Sequence, residues 1–450
     1  MSSIDLLVKN GVLVTSSGRR RGNIAVNDGK IVHISDECPE ARQTIDADGL
    51  FVLPGAVDSH VHLMDPGSPE REDFPHGTAA AAANGVTTII EHTHGHPVRT
   101  VEDLYAKRDY LRPRANVDYG LAAHAWPGHA KEVAGLWRAG VAFFKVFTCT
   151  THGVPGHNPA ALLRHLQATR DVDAVTLLHC EEESLTEVAE HELRAVGRED
   201  GGVLPEWRNR EAELAAVAVA ALLVRRTGAR ATIAHVSNAE AAAYVAAERR
   251  QGARLHAEGC PQYFELREAE CLDAGTLRKF TPPARARSAA DQAAMWQLLR
   301  SGELTHISSD HAPSTLEQKA NGGIWEAHFG LPGLDSTMSL LLDAAASDLI
   351  ALEDVVRVYA ENPAKIYGLW PRKGTLRVGA DADLALIDMG GQRTLRHETI
   401  ISKAGWTPYD GRTVMGSVVR TILRGDTVAI DGNPLHNMIG EFVSRSGRDG

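Results

Sequence analysis

The chain has 450 residues, 43% of them hydrophobic and 23% charged, and its formal net charge is −11. This balance is typical of a soluble globular protein, and the negative charge argues against binding to nucleic acid or to an anionic membrane surface. No apolar run approaches the roughly 18 residues that a membrane span needs.

The N-terminus and the cysteines favour a cytoplasmic protein. The opening sequence MSSIDLLVKNG has neither the basic region nor the apolar stretch of a signal peptide. The cysteines are odd in number, scattered and without a Cys-x-x-Cys pair; they are Cys38, Cys149, Cys180, Cys260 and Cys271. A reduced compartment is therefore expected.

Both ends of the chain predict short antiparallel strands. Asn10-Gly11 and Asp28-Gly29 lie between apolar runs, which is a strong hairpin signal. The same pattern returns after residue 370, where Gly425 lies in a turn between two apolar runs. We interpret residues 1–50 and 371–443 as two parts of one small β-sandwich domain, and residues 444–450 as a disordered tail.

Residues 51–370 show a different pattern, in which apolar runs alternate with alanine-rich, helix-like segments. The runs are FVLPGAVDSH, VTTIIEH, YGLAAHA, VAFFKVF, AVTLLHC, ATIAHVS, ARLHAEG and LTHISSD. Buried strands that alternate with helices indicate a parallel sheet. Eight such units predict a (β/α)8 TIM barrel with its active site at the C-terminal ends of the strands.

Histidines end the first of these runs. Residues two apart in a strand point to the same side, so His60 and His62 lie about 6–7 Å apart along one edge. Two imidazoles in this arrangement can share a metal ion.

Further polar groups occupy corresponding places in later runs. Lys145 lies inside the fourth run, and His179, His235 and Asp310 end the fifth, sixth and eighth. A charged lysine in an apolar strand is costly unless it is paired or neutral. A neutral amine can react with CO2 to form a carbamate that bridges two metals. The alternatives are an ion pair for Lys145 and ordinary core positions for the two histidines.

The chain resembles the cyclic amidohydrolases of the amidohydrolase superfamily: dihydropyrimidinases, hydantoinases, allantoinases and dihydroorotases. The resemblance extends over nearly the whole chain. It rests on PGAVDSHVHL, FFKVF, LLHCEEE, AHVSN, CPQY, KFTPPAR, SSDHAP, ENPAKIYGL and KGTLRVGADADL. It implies a barrel with two divalent metal ions, a β-sandwich from both chain ends, and a homotetramer or dimer.

The resemblance also implies roles for the polar residues. His60 and His62 bind the more buried metal, a carboxylated Lys145 bridges both metals, and the second metal is bound by His179 and His235. Zinc suits such histidine and carboxylate ligands, with manganese, cobalt or nickel as alternatives.

The expected reaction opens the ring of a small cyclic amide or ureide of the hydantoin, allantoin or dihydropyrimidine type. A metal-bridging hydroxide attacks the ring carbonyl, and the exposed metal stabilises the oxyanion. Asp310 completes the first metal site and acts as the catalytic base that moves the proton to the leaving nitrogen.

The sequence leaves the identity of the ring open. Dihydroorotases have an arginine two residues after His-x-His, where this chain has Met64. Dihydropyrimidinases have a tyrosine five residues after the lysine, where this chain has Thr150. The Val-Pro-Gly and HCEEE segments resemble L-selective hydantoinases, whereas SSDHAP resembles allantoinases and dihydroorotases.

Other residues are candidates for the missing substrate contacts. We predict substrate binding by residues that follow the second and fourth strands and by two later loop positions: His92, Thr150, His152, Thr281 and Gly330. The alternative is a polar loop at the barrel rim. We do not interpret the motif EHTHGHP as a further metal site, because the predicted ligand set is complete without it.

Three other functions share this scaffold. One is hydrolysis of a different cyclic imide, a lactam or dihydroorotate. A second is a non-catalytic relative of the dihydropyrimidinases, which the complete ligand set disfavours. A third is a deaminase or N-acyl hydrolase, which the lysine of the fourth strand disfavours.

Overall fold

The computed structural model describes residues 4–445. The strands are β1 (Ile4–Thr15), β2 (Gly18–Asn27), β3 (Lys30–Ser35), β4 (Ala41–Asp46), β5 (Phe51–Pro54), β6 (Ala56–Val61), β7 (Val86–Glu91), β8 (Asp118–Leu121), β9 (Ala123–His124), β10 (Phe144–Phe147), β11 (Val175–His179), β12 (Arg230–Ile233), β13 (Leu255–Gly259), β14 (His306–Ile307), β15 (Leu384–Thr394), β16 (Thr413–Leu423), β17 (Asp426–Ile430) and β18 (Asn433–Pro434).

The α-helices are α1 (Phe74–Ala83), α2 (Val101–Leu111), α3 (Val133–Ala139), α4 (Pro159–Asp171), α5 (Glu183–Ala195), α6 (Val203–Trp207), α7 (Arg210–Thr227), α8 (Ala239–Arg250), α9 (Gln262–Glu265), α10 (Ala269–Ala274), α11 (Ala289–Arg300), α12 (Leu316–Ala320), α13 (Thr337–Ala346), α14 (Leu352–Val356) and α15 (Asn362–Ile366). A π-helical turn, Arg357–Glu361, joins the last two. Within residues 4–445, no helix combines the length and apolar character needed to cross a membrane.

The middle of the chain forms a closed barrel of parallel strands. β6, β7 and β8 pair in one sheet, and β9 to β14 pair in chain order in a second. β8 and β9 act as one barrel strand, because β8 pairs with β7 and β9 pairs with β10. The barrel closes where the His62 amide donates to the His311 carbonyl oxygen at 2.7 Å. The predicted (β/α)8 barrel is confirmed.

Helix α7 shows why the alanine-rich segments form the outer layer. The Asn209 side chain accepts from the Ala212 amide at the start of the helix, and Gly228 ends it in a left-handed conformation at φ +73°. Alanines three and four residues apart give the helix a smooth buried face, which includes Ala216 and Ala220. Small side chains let the helix pack closely against the barrel strands.

Both chain ends build one nine-stranded sheet, in the order β18-β17-β16-β15-β5-β1-β2-β3 with β4 beside β1. The two ends meet where β5 pairs antiparallel with β15. Residues 4–50 contain strands, but the hairpin predicted at Asn10-Gly11 is wrong, because these residues lie at an irregularity within β1. β1 also pairs in parallel with β4 and β5, whereas antiparallel strands were predicted. The apolar side chains of these strands form a core separate from that of the barrel, and it includes Leu6, Ile24 and Leu384.

The first predicted barrel run is divided between the two sheets. Its first part, β5, belongs to the sheet of the chain ends, whereas β6 begins the barrel. Gly55 lies between them, where an added Cβ would be 2.2 Å from Thr87 Oγ1. Only glycine fits where the chain passes from one sheet into the other. The predicted domain limits at residues 50, 370 and 443 stay predictions.

The predicted disordered tail falls partly within the described residues. The Arg445 guanidinium lies 3.3 Å from the centre of the Trp137 ring and donates to the carbonyl oxygens of Trp137 and Val141. The structure thus places Arg445 against the barrel. The remainder of that prediction, residues 446–450, lies outside the described residues.

A buried ion cluster joins the two chain ends to the barrel. The Lys373 ammonium lies 2.5 Å from Asp118 of β8, 2.8 Å from Asp381 and 2.7 Å from Asp383. The three carboxylates are spaced closely enough to hold a metal ion, and the ammonium lies among them. Burial alone would lower the pKa of Lys373, but the three aspartates raise it above its ordinary value.

We expect Lys373→Met to lower the free energy of unfolding by about 3–5 kcal/mol, because it leaves buried carboxylates without their counter-charge. Urea denaturation followed by circular dichroism measures this loss. Lys131→Met is the matched control, since Lys131 is exposed and lies 3.9 Å from Glu132. Equal stability of both variants would contradict the role given to the cluster.

Candidate metal centre

The predicted ligands of the first metal site converge at the C-terminal ends of β6, β10 and β14. His60 Nε2 lies 3.3 Å from Lys145 Nζ and 3.2 Å from Asp310 Oδ1. His62 Nε2 lies 3.5 Å from the same aspartate oxygen. The histidines and the lysine are buried, and the Asp310 side chain is 13% exposed. Nitrogen and carboxylate groups at these distances suit one divalent ion.

Hydrogen bonds orient both imidazoles toward this point. His60 Nδ1 donates to Glu258 Oε1 at 2.7 Å, and His62 Nδ1 donates to the His92 carbonyl oxygen at 3.1 Å. Because the proton of each ring is on Nδ1, each Nε2 presents its lone pair to the site. Burial lowers the pKa of His62 well below its ordinary value, so this ring is neutral near pH 7.

The other predicted histidine pair lies beside the first site. His179 ends β11, and His235 follows β12. His179 Nδ1 faces His235 Nε2 at 3.0 Å, and the rings of His235 and His60 are 5.4 Å apart between centroids. Burial lowers the pKa of both His179 and His235. Two neutral rings with converging nitrogens suit a second ion next to the first.

Glu181 orients His179. Its Oε2 atom accepts from His179 Nε2 at 2.8 Å, from Thr281 Oγ1 at 2.7 Å and from Arg208 Nη1 at 3.0 Å. Burial alone would raise the pKa of Glu181, but the Arg208 charge and the His179 hydrogen bond lower it to about 2. The ionised carboxylate keeps the proton of His179 on Nε2 and leaves Nδ1 for a ligand.

The Cys149 Sγ atom and the ligand atoms of His179 and Glu181 all lie within 4.8 Å of one another. The same Sγ atom accepts from Arg208 Nη1 at 3.1 Å. Burial raises the pKa of Cys149 to about 11, so the thiol is protonated near pH 7. A protonated thiol is a poor ligand. Cys149 is therefore a packing residue here.

Lys145 lies within β10 and is almost fully buried. Burial lowers its pKa to about 8, although the charges of Asp310 and Glu258 partly offset this effect. Among residues 4–445, Lys145 Nζ contacts the His60 ring and forms no ion pair. The alternative of a structural ion pair is thus not seen.

Glu258, at the end of β13, was missed by the sequence analysis. Its Oε1 atom accepts from the His60 ring and, at 3.0 Å, from the His235 amide. Burial alone would raise the pKa of Glu258, but the neighbouring His60 holds it well below its ordinary value. The available signal was its position: Glu258 ends the seventh apolar run at the same edge as the predicted ligands.

His92 lies behind the first site rather than in the pocket. Its ring centroid is 4.5 Å from that of His60 and 4.2 Å from that of His62. Neither ring nitrogen has a hydrogen-bond partner among the described residues. One ring nitrogen from each of His60, His62 and His92 lies within 4.8 Å of the other two, and His94 and His96 are not part of this cluster. His92 is thus not among the residues that line the pocket, and its predicted contact with substrate stays a prediction.

A narrow pocket with a cavity volume of about 30 Å³ opens over the ligands. The six predicted ligands form its floor. The walls are formed by Met64, Arg71, His94, His152, Phe280, Thr281, Ala312, Phe329 and Gly330. Three predicted substrate contacts, His152, Thr281 and Gly330, are thus placed at the pocket. His94, in the segment EHTHGHP after the second strand, also lines the pocket, whereas Arg71 was not predicted as a contact.

Gly330 has a structural reason to be glycine. Its φ is +115°, and an added Cβ would lie 2.1 Å from the Ala312 carbonyl oxygen. Its amide donates to the Lys279 carbonyl oxygen at 3.0 Å. The pocket wall can therefore approach a ligand closely at this position, but the Gly330 amide already has a partner.

Thr150 is not among the residues that line the pocket, and its predicted contact with substrate stays a prediction. Its side chain is exposed outside the pocket, and both its amide and its hydroxyl donate to Glu183 Oε1. Glu183 is the third glutamate of the HCEEE segment and the first residue of α5, so a carboxylate at the start of this helix holds Thr150 away from the site.

Comparison with known proteins matches the model of the amidohydrolase family to residues 51–428. An L-hydantoinase of Paenarthrobacter aurescens is 33% identical over 98% of both chains. An allantoinase of Rubrobacter xylanophilus is 33% identical, also over 98% of both chains. The chain belongs to the amidohydrolase family. A solved L-hydantoinase (dihydropyrimidinase) of Arthrobacter aurescens superimposes with a TM-score of 0.94 at 32% identity, covering 98% of this chain and 100% of that one.

Members of the amidohydrolase family are metal-dependent hydrolases, and the present residues fit a metal centre. The fit rests on neutral imidazoles whose lone pairs converge.

We expect Glu258→Gln to weaken metal binding by about 10- to 100-fold, because His60 loses the carboxylate that fixes its proton and orientation. Competition with a coloured chelator measures the affinity, and elemental analysis gives the number of ions per chain. Glu303→Gln is the control, since Glu303 pairs with Arg250 at the surface. An unchanged affinity in Glu258→Gln would contradict the orienting role.

Proposed function

We propose that this protein opens the ring of a small cyclic ureide or amide of the hydantoin or allantoin type. The observation that carries the proposal is the convergence of four histidines, Lys145 and Asp310 on the floor of one pocket. The relatives named L-hydantoinase and allantoinase support the same reaction class.

The floor residues would hold two divalent metal ions. Bound divalent ions make water a nucleophile near neutral pH and polarise the carbonyl under attack. Zinc is the proposed ion because neutral imidazoles and a carboxylate are typical zinc ligands, and manganese, cobalt or nickel could replace it. His60, His62 and Asp310 would hold one ion, and His179 and His235 the other.

Asp310 is proposed as the general base and acid. It lines the pocket, and burial raises the pKa of its carboxyl group. A raised pKa makes the carboxylate a stronger base near neutral pH. It would accept the proton of the attacking water and deliver it to the ring nitrogen as the carbon–nitrogen bond breaks.

The pocket walls would bind the ring. Thr281 and His152 are the proposed side-chain contacts, since both line the pocket. The Thr281 hydroxyl donates to Glu181, so it presents its oxygen as an acceptor for a ring N–H. His152 stacks on His94 with centroids 4.6 Å apart, which holds its ring at the mouth.

The cellular setting and assembly are also proposals. All five cysteines are free thiols and four are buried, which supports the reducing cytoplasm. The family resemblance supports a homotetramer or dimer. The net charge of −11 supports a small-molecule substrate and not nucleic acid.

Ring opening on a substrate panel tests the proposal. We expect metal-reconstituted protein to hydrolyse a hydantoin, allantoin or dihydrouracil more strongly than dihydroorotate, since Met64 replaces the arginine that dihydroorotases use. Release of the ring-opened acid is measured by liquid chromatography. Failure on the whole panel, with two ions bound per chain, would refute the proposed substrate class.

Asp310→Asn should lower kcat by at least about 10³-fold, because the proton transfer loses its base. Elemental analysis should still find metal, which separates catalysis from assembly. Asp109→Asn serves as the control, since Asp109 is exposed on α2 beside Arg108. Turnover of Asp310→Asn at the level of the control would contradict the assignment.

Lys145 should carry a carbamate. Protein reconstituted with metal and ¹³C-bicarbonate should show one labelled carbamate signal per chain in its ¹³C NMR spectrum, because the buried amine of Lys145 is readily neutral. Lys145→Ala should lack the signal and bind fewer ions. Two ions per chain without any label would contradict the bridging role.

A further inference from the structure

Arg71 presents unused hydrogen-bond donors to the pocket. It lies on the loop between β6 and α1 and lines the pocket wall. Its Nε atom donates to the Pro313 carbonyl oxygen at 3.2 Å and to Ser314 Oγ at 3.1 Å. Within residues 4–445, its two terminal nitrogens make no hydrogen bond or ion pair. The guanidinium is thus anchored at one side and free at the other.

The backbone beneath Arg71 is fixed by its neighbour Glu72. The Glu72 carboxylate is fully buried and accepts from His311 Nε2 at 3.2 Å and from the Ser402 hydroxyl. Arg71 is therefore held in place before any ligand binds, which reduces the entropy that a ligand contact costs.

No acidic side chain neutralises Arg71 within the described residues. The nearest acid acting on it is Glu70, which is exposed. Lys279 and Lys319, behind the same wall, donate to backbone carbonyl oxygens and bring no counter-charge, and burial lowers the pKa of both. Burial lowers the pKa of Arg71 to about 10, so the guanidinium stays charged near pH 7.

A substrate ring that fills the pocket displaces water from around the Arg71 guanidinium. Leaving a buried guanidinium without a partner is costly, whereas a carboxylate accepts from both terminal nitrogens at once. The acid group that ring opening creates does not fill this role, because it forms at the attacked carbonyl carbon beside the pocket floor. The complementary anion must therefore belong to another part of the substrate.

We propose that Arg71 selects ring substrates whose substituent carries a carboxylate, such as hydantoins with a carboxyalkyl side chain. This inference rests on the proposed function and adds a substrate class to it. Dihydroorotases have an arginine at the position that Met64 occupies in this chain. The proposed anion contact is made instead by Arg71, seven residues later in the same loop.

A pair of nearly isosteric substrates tests the proposal. The metal-reconstituted protein is given 5-(2-carboxyethyl)hydantoin and its carboxamide, 5-(2-carbamoylethyl)hydantoin. We expect kcat/KM for the carboxylate to exceed that for the carboxamide by about tenfold or more. Arg71→Gln should lose about 10- to 100-fold on the carboxylate, mainly through KM, and change less than about threefold on the carboxamide.

Arg164→Gln is the matched control, because Arg164 is an exposed arginine on α4 and its loss changes the net charge equally. It should behave as the wild type on both substrates. Equal wild-type turnover of both substrates, or an equal loss on both in Arg71→Gln, would overturn the proposal.

Binding separates this proposal from the proposed function. Calorimetric titration of Asp310→Asn with each hydantoin reports affinity without turnover. In one outcome, the wild type opens neither ring, but the carboxylate-bearing hydantoin binds more tightly than the carboxamide and loses this advantage in an Asp310→Asn, Arg71→Gln double variant. The anion contact then stands and ring hydrolysis fails. If the carboxamide is opened equally well and binds equally tightly, ring hydrolysis stands and the anion contact fails.

Discussion

Closure of the barrel is the constraint on which the site depends. The hydrogen bond from the His62 amide to the His311 carbonyl oxygen joins the first barrel strand to the last. It brings Asp310 against residues from the far end of the barrel sequence, so that the carboxylate meets both histidine rings. Without closure, the first and last groups of the ligand set would lie at opposite edges of an open sheet.

Much of this arrangement could be read from the sequence, because side chains at the ends of parallel strands must meet at one edge. His60, Lys145 and Asp310 were located in this way. In the structure, His60 Nε2 lies 3.3 Å from Lys145 Nζ and 3.2 Å from Asp310 Oδ1. The barrel followed from the alternation of apolar runs. Of the two hairpin signals near the N-terminus, Asp28-Gly29 forms the turn between β2 and β3, whereas Asn10-Gly11 lies within β1.

The rest could not be read because it depends on loop conformation. Thr150 has the right position in the chain, but Glu183 holds its hydroxyl outside the pocket. Arg71 lies within the segment DPGSPEREDF, but only the fold of its loop shows that its guanidinium reaches the pocket. Glu258 lies at a strand end, yet its role is visible only through the rings and amides that it orients.

The sheet built from both chain ends constrains the order of events during synthesis. β5 needs β15 as its partner, and Asp118 of the barrel needs Lys373. β1 to β5 therefore leave the ribosome more than three hundred residues before β15, which their sheet needs for completion. Such long-range pairing slows folding and leaves strand edges exposed in the interval. The amino-terminal strands of this chain are accordingly the segment that most needs protection while the barrel is still being made.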